Sequence, residues 1–418
     1  MVKENLNCKK LRIVIYALTT VFSKGVAQLL ASKMISTSFG PQGLGIFGIW
    51  QNLSQILISF SNGAINNGII INTAERKDDK EKIRDVLGSA MAITIVASIV
   101  LSLSVVIAFP FLKKVMLSDQ ISNYNIWIFA LFLPFIGWSI CLSNVQNGLQ
   151  STSDQLLMNI LVPTIYLSLV YLATQLSDIN LAILSLSTAQ IFPLFILIFF
   201  LKRRLGYWPT GKVQFSGLSH KLLKHSIMSV AFTLSFPLAT FLIRENILRS
   251  SSISMAGFLD SILRISAISS ALLGSMVSIY FLPTLVKTDR SNILKKYHVL
   301  YKYLLALYGC GILFSLFGAK YIISLLYSDE FQIVSSLVWL QLLGDFFKTI
   351  SFINMNFFVS RNLVRYFVAL EMSFAAIYFS LCATTGFTNL EGIVKSYVFA
   401  YFLYSILSYI FFRRKVQE

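Results

Sequence analysis

Eight charged residues stand inside long apolar stretches of this sequence, where a charge is costly and usually serves a function. Lys24 lies midway along the first stretch, which contains no acidic residue to neutralise it. An ammonium group in such a position lines water or binds an anion, or else forms a salt bridge with Asp345 or Glu371 on another helix. The eight residues are Lys24, Arg244, Glu245, Asp260, Arg264, Asp345, Lys348 and Glu371.

The spacing of four of these charges predicts pairs. Asp260 and Arg264 are four residues apart, and Asp345 and Lys348 are three apart, so the members of each pair can meet on one helical face. Each pair either neutralises itself or serves as a switchable contact beside a cavity.

Three further charges lack such a partner. Arg244 and Glu245 are adjacent, so they point to different sides of their helix and cannot simply cancel one another. Lys33 lies nearer the outer end of the first helix.

Four amides form a polar stripe on the predicted second helix. Gln51, Gln55, Asn62 and Asn66 are separated by steps of 4, 7 and 4, which keeps them on one face of a continuous helix. Amides exchange hydrogen bonds with hydroxyl-rich ligands without a change in charge. The stripe therefore indicates a sugar path, and the alternative is hydrogen bonding between helices.

Long apolar spans must position these groups. The sequence is 56% hydrophobic with a mean hydropathy of +0.71, and about twelve spans are long enough to cross a bilayer as helices. They are predicted near Leu11–Ile35, Leu44–Ile71, Val86–Leu112, Ile126–Leu149, Leu156–Leu176, Ile179–Leu201, Ile227–Leu248, Met255–Leu282, Val299–Phe317, Phe331–Val359, Tyr366–Thr384 and Ile393–Phe412.

Basic residues fix a predicted orientation for these spans. Of the 35 lysines and arginines, 24 fall at the N-terminus, at the C-terminus and in alternate connections, and 5 fall on the opposite side. Positive residues stay cytoplasmic, so both termini are predicted inside. The net charge of +17 thus reflects topology, and no nucleic acid partner is expected.

Several enzyme classes find no support in the sequence. The four cysteines are scattered, no P-loop pattern is present, and no connection is long enough for an extramembrane catalytic domain. We therefore expect a protein that is not an enzyme, with no cofactor and no metal.

The longest basic connection divides the chain into two predicted six-helix bundles, residues 1–210 and 211–418. A shift of 209 residues places the pair Gln51 and Gln55 on the pair Asp260 and Arg264, in the second helix of each half. An even number of spans in each half makes the repeats parallel. The fold class is predicted to be all-α membrane, with two bundles related by a pseudo-two-fold axis along the membrane normal.

Four motifs in order then resemble Wzx-type polysaccharide flippases of the multidrug/oligosaccharidyl-lipid/polysaccharide exporter (MOP) superfamily. The resemblance runs essentially from end to end and is greatest to O-antigen translocases and to flippases for the enterobacterial common antigen lipid. Lys24 and Lys33 fall where those flippases carry lysines. The motifs are Ser38–Gly45, Tyr280–Leu285, Trp339–Lys348, and Arg365–Phe367 followed by Glu371.

The resemblance implies a substrate and a direction. The substrate would be an undecaprenyl-pyrophosphate-linked oligosaccharide, moved by alternating access from the cytoplasmic to the periplasmic leaflet of a bacterial inner membrane. Lys24, Lys33, Arg244 and Arg264 would supply cations for the pyrophosphate, with the amides along the sugar path. Glu245, Asp260, Asp345, Lys348 and Glu371 would serve in coupling or as charge pairs.

The implied partners are the lipid-linked glycan and the lipid bilayer, with a polysaccharide polymerase and a chain-length regulator as further candidates. One departure matters, because relatives tend to carry an arginine where this chain has Gln51, and here the charge appears at Arg264. Sugar specificity therefore does not transfer.

Two other functions remain open. A cation-coupled multidrug antiporter of the same superfamily would explain the buried acids but not Lys24. A membrane polysaccharide polymerase would be expected to use a large catalytic loop, which this sequence lacks.

Overall fold

The computed structural model describes residues 2–112, 121–149, 152–208, 217–224, 226–276, 290–361 and 363–417, and throughout these ranges the regular structure is helical. Helices are expected because lipid offers no partner for backbone N–H and C=O groups, which an α-helix satisfies internally. The segment Tyr280–Leu285 and the C-terminal end of the predicted eighth span lie outside the described residues.

Thirteen α-helices and one 3₁₀ segment make up the described part of the chain. They are α1 Val2–Ser61, α2 Asn66–Glu75, α3 Lys80–Leu112, α4 Asn123–Gly148, α5 Thr152–Gln175, α6 Ile179–Leu205, α7 Gly217–Lys224, α8 Ser226–Ser250, α9 Ile253–Met276, α10 Arg290–Leu326, the 3₁₀ segment Asp329–Leu337, α11 Val338–Ser360, α12 Val364–Thr385 and α13 Leu390–Gln417.

Nine helical stretches within the described residues are long and apolar enough to cross a membrane. The other three predicted spans fall in α1 with α2, and in α9. The first two spans meet inside α1, which kinks at Gly40, where φ is +66° and ψ is −166°. Glycine adopts that conformation without strain, and Pro41 immediately after it suits the first turn of a new helical segment.

The predicted second span is not one continuous helix. α1 ends at Ser61, and a turn with positive φ at Gly63 and Ala64 separates it from α2, which begins at Asn66. The single polar face running from Gln51 to Asn66 was therefore a wrong prediction. Apolar residues resume at Ala64 and Ile65, directly after Asn62-Gly63, so the pattern of apolar residues favoured a single span.

The helices group into two compact units. Unit 1 comprises Met1–Gly48 and Leu238–Glu418, and unit 2 comprises Ile49–Pro237. Both boundaries fall inside helices, α1 and α8 respectively. The division at residues 210 and 211, which the apparent repeat suggests, stays a prediction about internal symmetry.

Within unit 1, α1 crosses α9 with almost no space between the two backbones. A Cβ added to Gly257 would lie 1.9 Å from the Pro41 carbonyl oxygen, and one added to Gly45 would lie 2.5 Å from the Ile253 carbonyl oxygen. Small residues permit such close crossings in membrane proteins, where van der Waals packing holds helices together. This crossing brings Gly48 of α1 directly against Asp260 of α9.

Unit 2 has an aliphatic core in which α2, α3, α4 and α6 meet. Its members include Ile69, Leu87, Leu142, Val145 and Leu197, all of them buried. The close approaches of Gly137 to the Ser61 carbonyl and of Gly148 to the Ile70 carbonyl, each 2.8 Å from an added Cβ, set α4 tightly against this core.

Candidate functional site

A buried cluster of three charged residues is in unit 1, where Asp260 lies between two arginines. Its Oδ1 accepts a hydrogen bond from Arg244 Nη2 on α8, and its Oδ2 accepts one from Arg264 Nε on α9 itself. All three side chains are buried, with 3% exposure for each residue. Two guanidinium groups against one carboxylate leave this cluster with a net charge of +1.

The α1–α9 crossing supplies further contacts of the cluster. Arg244 Nη1 donates to the Gly48 carbonyl at 3.2 Å, and the Arg264 guanidinium lies 5.4 Å from the centroid of the Phe47 ring. A guanidinium over an aromatic face gains a cation–π attraction. Three helices thus hold the two arginines in fixed positions.

The predicted pair of Asp260 with Arg264 is therefore present, and Arg244 joins it. The sequence prediction missed this third member, because no spacing rule relates residues 16 positions apart on two different helices. Arg244 and Glu245 do point to different partners, since Glu245 Oε1 accepts from Arg249 Nε at 3.0 Å.

Lys24 is exposed at the surface of the protein, on α1 of unit 1. Neither Asp345 nor Glu371 forms an ion pair with it in the described part of the chain; Asp345 accepts hydrogen bonds from Ser266 and Tyr397, and Glu371 accepts one from Tyr404 at 2.9 Å. The predicted salt bridge from Lys24 to either acid is thus absent from this conformation of the described chain. An ammonium group open to its surroundings can contact a ligand.

The two C-terminal acids are buried among hydroxyl groups. Asp345 on α11 is fully buried, and its Oδ1 receives the Tyr397 hydroxyl at 2.8 Å from α13. Lys348 lies with its Nζ 5.9 Å from the centroid of the Tyr401 ring. These residues gather on the faces of α11, α12 and α13, and Ser266 links Asp345 to α9, the helix that carries Asp260 and Arg264.

Lys33 has a structural contact that no sequence pattern indicated. Its Nζ donates to the Ser324 carbonyl at 2.8 Å and to the Tyr327 carbonyl. These carbonyls belong to the C-terminal end of α10, where the helix dipole favours a cation. In this conformation Lys33 ties α1 to α10, so its predicted role as a pyrophosphate ligand would require that tie to open.

The amides of unit 2 lie in two groups. Asn66 Oδ1 accepts from Asn62 Nδ2 and from Asn144 Nδ2, each at 2.6 Å, which joins the turn, α2 and α4. Gln51 is half-buried and Gln55 is exposed, both on α1. Hydrogen bonding between helices therefore accounts for Asn62 and Asn66 in this conformation, while Gln55 is accessible to a ligand.

Within the residues that the structure describes, no group of three or more His, Cys, Asp or Glu side chains could hold a metal ion.

Comparison with known proteins assigns the chain to a family. The model of a family described as polysaccharide biosynthesis protein matches residues 11–289, well over half of the chain. The chain belongs to the polysaccharide biosynthesis protein family. The cluster residues Arg244, Asp260 and Arg264 all fall inside the matched range.

Two curated relatives are both named lipid III flippase. The chain is 23% identical over 351 residues to the lipid III flippases of Escherichia coli (strain K12) and of Shigella flexneri. In both cases the match covers 83% of this chain and 84% of the relative. The resemblance to Wzx-type flippases is confirmed.

Solved structures share the fold. A multidrug resistance MATE family transporter of the MOP superfamily, in an inward-facing conformation, matches with a TM-score of 0.77 and 13% identity over 97% of this chain and 98% of that one. A MOP superfamily transporter from Pyrococcus furiosus matches with a TM-score of 0.66 and 13% identity over 98% and 95%. The prediction of an all-α, multi-pass membrane protein of this superfamily is confirmed.

Proposed function

We propose that this protein is a flippase that moves an undecaprenyl-pyrophosphate-linked oligosaccharide from the cytoplasmic to the periplasmic leaflet of a bacterial inner membrane, by alternating access. It is a transporter and not an enzyme. The observation that carries the proposal is the buried Arg244–Asp260–Arg264 cluster with its net positive charge, in a chain whose curated relatives are named lipid III flippases.

Charge supports an anionic head group over a drug cation. The cluster has an excess of one positive charge, and Lys24 adds an exposed ammonium in the same unit. Guanidinium groups bind phosphate oxygens in pairs of parallel hydrogen bonds, whereas a cationic drug would be repelled by both features. The buried acids Asp345 and Glu371 then serve in coupling or in packing.

Hydroxyl-rich sugars need neutral donors and acceptors in addition to cations. Gln55 is accessible on α1 and Gln51 half-accessible, so both can contact a glycan. The lipid tail can stay in the bilayer while the head group crosses the protein, and the assembled glycan would pass to a polysaccharide polymerase and a chain-length regulator.

The test is deletion of the gene in the organism that encodes it. We expect lipid-linked oligosaccharide, measured by mass spectrometry of membrane extracts, to accumulate while surface glycan disappears. A membrane-impermeant glycan-labelling reagent applied to spheroplasts should find the accumulated lipid inaccessible from outside. Plasmid-borne wild type should reverse all three effects.

Two outcomes would contradict the proposal. Heightened drug sensitivity with normal surface glycan would favour the multidrug antiporter. Elongation of glycan chains by the purified protein would favour the polymerase.

Orientation has a separate test. A cysteine introduced at Lys80, at the N-terminus of α3, should react with reagents only from the cytoplasm, and one at Asn389, just before α13, only from outside. A third predicted cytoplasmic position, Lys212, lies outside the described residues. Labelling of the Lys80 position in intact cells by an impermeant reagent would refute the predicted topology.

A further inference from the structure

The single carboxylate of Asp260 accepts hydrogen bonds from two arginines. Each of its oxygens is committed to a different guanidinium, Oδ1 to Arg244 and Oδ2 to Arg264. The arrangement has the geometry of a shared anion between two cations, as a phosphate group would also form.

Arg244 and Arg264 share the single carboxylate of Asp260. The cost of burying a charge is offset only when the charge is paired and its hydrogen bonds are made. Arg244 is deeply buried, and within the described residues its Nε has no acceptor. The three side chains have a summed charge of +1 and Arg244 has an open donor, and an anion that carries more charge than a carboxylate would suit both.

We propose that Asp260 is an exchangeable counter-ion that holds Arg244 and Arg264 together in the absence of substrate, yields them to the pyrophosphate of the substrate, and returns to them on release. The inference rests on the proposed function and deepens it. A pyrophosphate group carries at least two negative charges and can accept bonds from both guanidiniums at once. Asp260 acts through the arginines, so it is a positioning residue.

The position of the Asp260 carboxylate depends on the absence of a side chain at Gly48. A Cβ added to Gly48 would lie 2.6 Å from both the Cγ and the Oδ1 of Asp260. Since the Gly48 backbone is itself fixed by the α1–α9 crossing, Gly48→Ala would push the carboxylate away from its seat while leaving every charge in place. This substitution weakens the internal counter-ion without removing it.

The experiment uses the full-length protein, purified in lipid nanodiscs, with inorganic pyrophosphate as the probe. Calorimetry gives its Kd for wild type, Asp260→Asn and Gly48→Ala. Removal of the competing carboxylate should tighten binding by about tenfold or more in Asp260→Asn, and Gly48→Ala should tighten it by a smaller factor of about three.

Two control variants match these changes. Glu391→Gln replaces the carboxylate of an exposed i,i+4 ion pair with Lys395, and Gly309→Ala adds a methyl group where nothing lies within 4 Å. Both should bind pyrophosphate as the wild type does.

Flipping of the lipid-linked substrate supplies a second readout. If the carboxylate helps to expel the product, Asp260→Asn should lower KM and kcat together, because the substrate binds more tightly and leaves more slowly. A purely structural role for Asp260 would not tighten the binding of any anion.

The outcomes separate the two proposals. Unchanged or weaker pyrophosphate binding in both Asp260→Asn and Gly48→Ala would overturn the counter-ion role, even if the protein flips lipid-linked glycan. Tighter binding without glycan accumulation in the deletion strain would support the counter-ion role and refute the proposed function. If Asp260→Asn does not fold, Gly48→Ala decides, since it retains all three charges.

A competition arm distinguishes lipid-linked from free pyrophosphate. Inorganic pyrophosphate should inhibit flipping, and Asp260→Asn should be inhibited at lower concentrations than the wild type. Binding without any inhibition would mean that the cluster serves a free anion, and would overturn the assignment to the lipid-linked substrate.

Discussion

The two units use different chemistry for their buried polar groups. In unit 1, charged side chains join α8 to α9, namely Arg244, Asp260 and Arg264. Unit 2 joins its turn, α2 and α4 through Asn62, Asn66 and Asn144, all neutral. Both clusters hold helices together, yet only the first has an excess of charge.

This difference distinguishes buried polar groups that hold helices together from buried charges that can bind a ligand. Hydrogen bonds between neutral amides secure helices at modest cost, so unit 2 shows that this membrane protein has no structural need of charge for that purpose. A buried cluster with two cations and one anion is a costlier solution, and its retention in unit 1 is explained if a charged ligand completes it.

Replacement of Lys24, an exposed cation of unit 1, should have the largest effect. Lys24→Ala is expected to abolish export, a loss of at least about a hundredfold, because the ammonium that attracts the anionic head group is gone. Lys24→Arg should retain part of the activity, since the charge persists on a larger, planar group. Surface glycan in the complemented deletion strain measures both.

The control for Lys24 is Lys395→Ala, which removes another exposed lysine of the same unit, one that pairs with Glu391. Normal export by Lys24→Ala, at wild-type levels of membrane-inserted protein, would show that Lys24 takes no part in transport.

Loss of the shared carboxylate should have the next largest effect, and on stability. Asp260→Asn removes the carboxylate that two buried guanidiniums share and should lower the free energy of unfolding by about 3–5 kcal/mol. Thermal denaturation of the purified protein measures this as a fall in Tm.

The double variant Asp260→Asn with Arg264→Gln sharpens that result. It recreates the amide pair seen at Gln51 and Gln55, but Arg244 still lacks its carboxylate, so only part of the stability should return. We expect the double variant to insert in the membrane and to remain inactive. Full activity would leave Lys24 and Arg244 as the anion ligands.

An equivalent change in unit 2 should cost less. Asn66→Ala removes the acceptor of two hydrogen bonds and leaves two amide donors unsatisfied, which should lower the free energy of unfolding by about 1–3 kcal/mol. Its neighbour Asn67 is exposed and donates one long bond of 3.4 Å to Ser229, so Asn67→Ala should change Tm little. An effect of Asn66→Ala as large as that of Asp260→Asn would remove the contrast between the units.

The smallest effect is expected at an exposed ion pair of unit 1. Lys395→Gln breaks the contact between Lys395 Nζ and Glu391 Oε1, whose side chains are 61% and 55% exposed. Such pairs contribute about 0–1 kcal/mol, so Tm and export should stay within error of the wild type. A marked fall in Tm or in export would indicate that an exposed ion pair contributes as much as a buried one in this protein.

The sequence predicted the membrane helices better than the turns that interrupt them. Apolar content and length are sufficient to identify membrane helices, and spacing is sufficient to pair Asp260 with Arg264. The turn after Ser61 was missed because Ala64 and Ile65 continue the apolar pattern, although the dipeptide Asn62-Gly63 is typical of turns. The predicted stripe of four amides failed for this reason.

Contacts between distant helices were beyond the reach of spacing rules. The bond from Arg244 to Asp260, the tie from Lys33 to the end of α10 and the role of Asn144 all depend on how helices pack. The signal that could have indicated the first is the set of glycines at 45, 48 and 257, whose missing side chains mark a close helix crossing.

That crossing also has a consequence for how the protein is made. The ribosome releases Gly45 and Gly48 before any of unit 2, and Gly257 only afterwards, so α1 is synthesised long before its partner α9 exists. At about 5–20 residues per second, an interval of roughly 200 residues lasts about 10–40 seconds. Throughout that time α1 carries Lys24 and a glycine face that α9 does not yet cover, and a chain truncated before α9 would keep that face uncovered.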